Sequence, residues 1–259
     1  MYLLFLFLNL LLASPEENKE IQVGIDEHLG EFIDLNLKVV NSTGDTLMLK
    51  DIVTKPTVLS LVYYNCPGIC NELLNGLRDV IERSDIEPGV DYNILSLSFN
   101  HTEDYVLARN KKQNYIAGMN REINKDAWYW VVSDSVTIRK VTDAIGFKFK
   151  QDNFRDGMLD FLHAGALVFL SPEGKITRYL NGTEFLPFDM KMATIEAAEG
   201  REQPTINRLL KFCFKYEPEG QKYVLNVTQI FGVIISLGAL ALVLVLTLSK
   251  KKKTTEVES

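Results

Sequence analysis

Thr57–Cys70 reads TVLSLVYYNCPGIC, and both the fold and the chemistry of the chain turn on it. TVLSLV is a continuous apolar and β-branched run, the pattern of a strand buried on both faces of a sheet. Cys66 and Cys70 follow within a few residues, and Leu73, Leu74, Leu77, Val80 and Ile81 then recur at helical spacing. The stretch is therefore a strand-to-helix junction with two thiols at its corner. The free N–H groups and positive dipole end of a helix N-terminus stabilise thiolate there. One helical turn between the cysteines sets their α-carbons about 6 Å apart, within the range a disulfide bridges. The pair can serve as a reversible disulfide, as a permanent staple, or, when reduced, as a hold on a soft metal.

Outward from the junction, YNILSLSF reads as a second buried strand and AWYWVVS as a third. Between them TEDYVLARNKKQNYIAGM reads as a helix with acids in its first turn, matching the helix dipole. DSVTIRKVTDAIGF reads as a third helix, capped by Asp134 or Ser135 and ended at Gly146. Upstream, LNLKVVNSTGDTLMLKDI is a hairpin around the turn STGD; downstream, GALVFLSPEGKITRYL is two strands around SPEG. PFDMKMATIEAAEG and TINRLLKFCFKY read as two further helices. A β-hairpin followed by β-α-β-α-β-α-β-β is the order of an α/β, thioredoxin-like sandwich. The sandwich is expected over 31–182 and a helical extension over 183–222.

The ends address the chain to a membrane. Residues 1–14 open with an apolar run of signal-peptide length, without Lys or Arg ahead of it, and are expected to be a cleaved signal. Residues 15–30 read as a tether. The stretch 227–248 carries no charge and is long enough to span hydrocarbon as a C-terminal transmembrane helix. Lys250–Lys253 follow it, so residues 249–259 are expected to form a cytoplasmic tail, with the domain on the periplasmic or exoplasmic side. The net charge of −6, with no basic stripe, argues against nucleic acid as a partner.

Several thiol chemistries are excluded by spacing. A c-type haem needs histidine directly after the second cysteine, where Asn71 stands. Structural zinc needs a second cluster of ligands, and CPGIC has three residues between its thiols rather than the two of thioredoxin-type motifs. The chain has three histidines. His28 reads as a solvated loop residue, and His101 follows a strand at the edge where such folds carry active-site loops. His163 precedes the penultimate strand, which neighbours the thiol strand in this topology. It is either a third ligand or a core histidine; with two thiolates an imidazole would suit Cu(I), which takes soft sulfur and low coordination numbers. Cys213, on an apolar helix face, reads as a buried inert thiol.

KPTVLSLVYYNCPGIC, with a single histidine far downstream before ALVFLSPEGKITRYL, resembles the SCO/SenC family of membrane-anchored, copper-binding thioredoxin-like proteins. The resemblance runs over about Gly24–Leu180 and rests on three separated signatures. It implies Cu(I) held by Cys66, Cys70 and His163, and copper delivery to a respiratory oxidase copper subunit or another copper or thiol client. The alternative it implies is a thiol–disulfide oxidoreductase that keeps client cysteines reduced through Cys66 and Cys70. A metal site needs the third ligand and an exchange reaction does not. The chain departs from the family pattern at Asn100 and His101, which replace Asp and Pro, around His163, which stands in LHAG, and in carrying its anchor at the C-terminus.

Overall fold

Six consecutive buried residues, Thr57–Val62, form the strand expected from TVLSLV. The computed structural model describes residues 23–151, 160–203, 214–217, 222–225 and 238. In chain order the elements are β1 (Gly24–Ile25), β2 (Lys38–Asn41), β3 (Thr46–Met48), α1 (Leu49–Ile52), β4 (Thr57–Val62), α2 (Ile69–Arg83) and β5 (Asn93–Ser98). Then come α3 (Tyr105–Ala117), β6 (Trp128–Val132), α4 (Ser135–Ala144), β7 (Phe147–Lys148), β8 (Lys150–Gln151) and β9 (Phe161–Leu162). Last are β10 (Ala166–Leu170), β11 (Ile176–Asn181), α5 (Pro187–Ala198), β12 (Phe214–Glu217) and β13 (Lys222–Leu225).

A seven-stranded sheet in the order β11-β10-β4-β5-β6-β2-β3 organises the domain. β4, β5 and β6 run parallel, while β10 and β2 flank them antiparallel, so the sheet is mixed and thioredoxin-like. Burying Val58, Leu59, Leu61 and Val62 of β4 contributes about 1.5–3 kcal/mol each. The two polar members of that strand are satisfied: the hydroxyls of Ser60 and Ser96 meet at 2.8 Å, and Thr57 donates to the Lys55 carbonyl at 2.8 Å. β10 pairs Leu167 with Ser60 in antiparallel register, so the segment entering β10 lies beside the segment leaving β4. That register brings the histidine and the thiols to one end of the sheet.

α2 buries Leu73, Leu74, Leu77, Val80 and Ile81, the expected stripe, together with Cys70, and begins at Ile69, so Cys70 sits in its first turn. α2 and α5 pack together, and α5 also lies on β11, β10 and β4. Gly76 of α2 lets the loop after β11 press in: a Cβ there would stand 1.7 Å from the Thr183 carbonyl oxygen. α3 is capped by Asp104, whose side chain accepts from the Leu107 N–H, and has no acid in its first turn. The expected first-turn acids precede the helix, and Glu103 turns inward. Asp134 caps α4 as expected.

Two stretches differ from their sequence reading. Gly24 and Ile25, inside the expected tether, pair with Lys148 and Phe147. Phe214–Glu217, read as the end of a helix, is a strand paired with Lys222–Leu225. Its aromatic and charged residues alternate with period 2, and the Pro218 and Gly220 that follow are turn formers. The chain divides into two units, 1–201 and 202–259. Among the described residues no helix is long and apolar enough to cross a membrane. The expected signal (1–14), Cys213 and, apart from Gly238, the expected transmembrane stretch 227–248 lie outside the described residues.

Candidate metal centre

The strand β4 ends at Val62 and the chain turns through Tyr63–Gly68 into α2. Cys66 is held at the turn, 5 % exposed, and Cys70 is fully buried in the helix. Neither is in a disulfide. Backbone amides point at both sulfurs: Gly68 N–H donates to Cys66 Sγ at 3.3 Å and Tyr63 N–H to Cys70 Sγ at 3.4 Å. His163, half-buried between β9 and β10, places Nε2 3.1 Å from Cys70 Sγ. Its Nδ1 lies 2.9 Å from the Ala164 carbonyl. A carbonyl only accepts, so Nδ1 carries a proton and Nε2 is the ring nitrogen turned towards the sulfurs.

The three ligand atoms lie within 4.8 Å of one another, and among the described residues this is the group of cysteine, histidine and carboxylate side chains able to share one metal ion. Metal bonds to sulfur and imidazole of about 2.0–2.3 Å separate two ligands by at most about 4.6 Å, so the cluster needs little adjustment. Two sulfurs and one imidazole form a soft donor set. His101 is exposed in the turn after β5 and is not in this group. His28 is pinned rather than solvated, with Nδ1 2.9 Å from the Ala144 carbonyl.

The thiols are not equivalent. The Cys70 thiol beside Cys66 lowers the Cys66 pKa to about 4, with further help from His163, Tyr63 and the Gly68 amide. Burial, and then the neighbouring Cys66, push Cys70 far above the ordinary thiol value. The reduced pair thus shares one proton, held on the inner sulfur. Tyr63 closes one side: its hydroxyl donates to Asp160 at 2.5 Å, and its ring stands 5.9 Å from that of His163. Phe99 and Phe147 flank the imidazole at 5.0 Å and 6.0 Å, so the ring is packed among aromatics.

Two residues outside the motif hydrogen-bond to the backbone of the loop. Asn71 donates its side-chain amide to the Cys66 carbonyl at 2.8 Å and accepts from Lys111 at 3.1 Å. Glu103 accepts from the amides of Tyr64 and Asn65. Burial holds the Glu103 carboxyl above the usual range, against the pull of its donors. Neither role is visible in the sequence; a polar residue beside a thiol motif is the only trace Asn71 leaves, and Glu103 is far away in the chain.

The SCO1/SenC family model matches residues 27–197, well over half of the chain, and the chain belongs to that family. Its fold is similar to that of a proposed electron transfer protein from Aquifex aeolicus VF5, at 26 % identity and a TM-score of 0.57, covering 66 % of this chain and 95 % of that one. Arabidopsis thaliana ScoI with copper bound matches at 15 % identity and a TM-score of 0.51, covering 63 % and 96 %. BsSco, a member of the Sco family of cytochrome c oxidase assembly proteins with a disulfide switch, matches at 15 % identity and a TM-score of 0.50, covering 68 % and 96 %. No curated protein matches the chain.

Proposed function

We propose that this protein carries one Cu(I) between Cys66, Cys70 and His163 and delivers it to the copper site of a respiratory oxidase during assembly. The observation that carries the reading is the convergence of two sulfurs and one imidazole nitrogen within 4.8 Å, at the sheet end where the family motif lies. The copper-bound relative and the oxidase-assembly relative share the fold and support the same reading. Binding releases the proton held on Cys70, because the ligand is thiolate. Cys66 and His163, nearer the surface than Cys70, are the ligands an acceptor's own cysteine or histidine replaces first. The apolar stretches 1–14 and 227–248 fit a domain tethered outside the cytoplasm, where the lysine tail faces inward.

The test is Cu(I) affinity of the full chain, by competition with a chromogenic chelator, beside His163→Ala. One bound equivalent in the parent and at least a tenfold loss in the variant is the expected result. Equal binding by the two removes His163 from the site and copper delivery with it.

The unequal thiols favour one second reading, thiol–disulfide exchange. The Cys66 thiolate attacks a client disulfide, one client sulfur leaves as thiolate, and Cys70, giving up its proton, resolves the mixed disulfide. The client is reduced and the Cys66–Cys70 pair is oxidised. This reading requires both cysteines and tolerates His163→Ala, so the same variant separates the two.

A further inference from the structure

Glu103 has no part in holding an ion through Cys66, Cys70 and His163, yet it is a carboxylate buried to 8 % exposure immediately behind the thiol loop. Its Oε2 accepts from the Tyr64 N–H at 2.7 Å and the Ser98 hydroxyl at 2.7 Å, and its Oε1 accepts from the Asn65 N–H at 2.8 Å. A carboxylate this far from water is costly unless donors meet its lone pairs. Here two of the three donors are consecutive backbone amides directly ahead of Cys66. β4 has ended at Val62, so those amides have left the strand pairing and need another acceptor. The turn after β5 supplies it: Ser98 and Asn100 shape the turn, and the Glu103 N–H donates to the Asn100 carbonyl at 3.1 Å. The carboxylate is thus delivered by a neighbouring strand to a loop nearly forty residues earlier.

We propose that Glu103 is a positioning residue for the thiol loop: it holds the Tyr64 and Asn65 amides so that Cys66 faces Cys70 and His163 before any ion arrives. The proposal rests on the copper reading for its benefit, since a loop already in the bound arrangement loses less freedom on binding. Its structural content does not depend on copper. Charge and position are separable at this residue. Glu103→Asp keeps the charge and withdraws the carboxylate by one carbon–carbon bond. Glu103→Gln keeps the length, removes the charge and turns one acceptor into a donor facing an amide.

The experiment measures Cu(I) affinity of the reduced full chain by chelator competition, and amide hydrogen exchange of the reduced, metal-free chain, in the parent and both variants. Both variants are expected to bind Cu(I) at least tenfold more weakly, a step of about 1.4 kcal/mol. The Tyr64 and Asn65 amides should exchange faster while β4 and β5 stay protected. Parent-like affinity in both variants overturns the proposal. So does a loss confined to Glu103→Gln with parent-like exchange at Tyr64 and Asn65, which assigns the effect to charge, or faster exchange spread through β4 and β5, which assigns it to general stability. If the parent itself holds no Cu(I), the copper reading fails, and exchange at the two amides in Glu103→Asp still decides whether this residue holds the loop.

Discussion

His28 and His163 are anchored alike and do different work. Each sets Nδ1 2.9 Å from a backbone carbonyl, that of Ala144 for His28 and that of Ala164 for His163. Each therefore presents Nε2 as its free face. For His163 that face meets the Cys70 sulfur at 3.1 Å; for His28 it meets the Asp26 carboxylate at 4.0 Å, while the Glu31 carboxylate lies 3.7 Å from Nδ1. Sulfur beside the first ring gives a soft donor group, whereas the second, with only exposed carboxylates beside it, fastens the first segment to α4 through the Ala144 carbonyl. The tautomer is set by the carbonyl, and the residue across the other nitrogen decides what the ring can do.

The largest effect that sharpens this contrast lies in the sulfurs. Thiolate absorbance of the reduced, metal-free protein should show one thiolate titrating near pH about 4 and the second well above the ordinary value of 9.0. An acid whose pKa is lowered by the fold favours the fold above that pKa. Cys66 therefore contributes stability that is full above 9.0 and is lost as the pH falls towards about 4, while Cys70 opposes it above 9.0. Two thiols titrating together near 9.0 would break the picture of a shared proton. Next in size, His163→Ala should cost at least tenfold in Cu(I) affinity while His28→Ala costs none; equal losses would erase the distinction between the two rings. Asn71→Ala removes the brace on the Cys66 carbonyl and should weaken Cu(I) binding about fivefold, the worth of a net hydrogen bond of roughly 1 kcal/mol. Smallest, His28→Ala should lower the thermal midpoint by roughly 2–4 °C, read by calorimetry, through the lost bond to Ala144.

Much of the site was legible because its signals are local. TVLSLV and the leucine stripe after Cys70 define the strand and helix by period alone, and the junction between them must hold the thiols. His163 was reachable only through topology: the penultimate strand lies beside the thiol strand, and the register of β10 on β4 brings the ring to the sulfurs. Glu103 was not reachable. In TED it reads as a first-turn acid, and only the turn through Ser98 and Asn100 shows it facing inward while Asp104 takes the cap. The same limit applies to His28, whose carbonyl partner lies 116 residues away, and to Phe214–Glu217, where an apolar run masked a period of 2.

Gly76 carries a consequence for mutational tolerance. With the Thr183 carbonyl 1.7 Å from where a Cβ would stand, any side chain at this position forces the helix and the loop after β11 apart. α2 carries Cys70, and the same end of the β10–β11 pair carries His163, since Ala166 pairs with Asn181 and the Gly182 N–H donates to the Gly165 carbonyl. A substitution that meets neither sulfur therefore acts as a wedge between the two segments that meet in a 3.1 Å contact. Gly76→Ala should weaken Cu(I) binding in chelator competition as His163→Ala does, although it touches neither sulfur nor the imidazole.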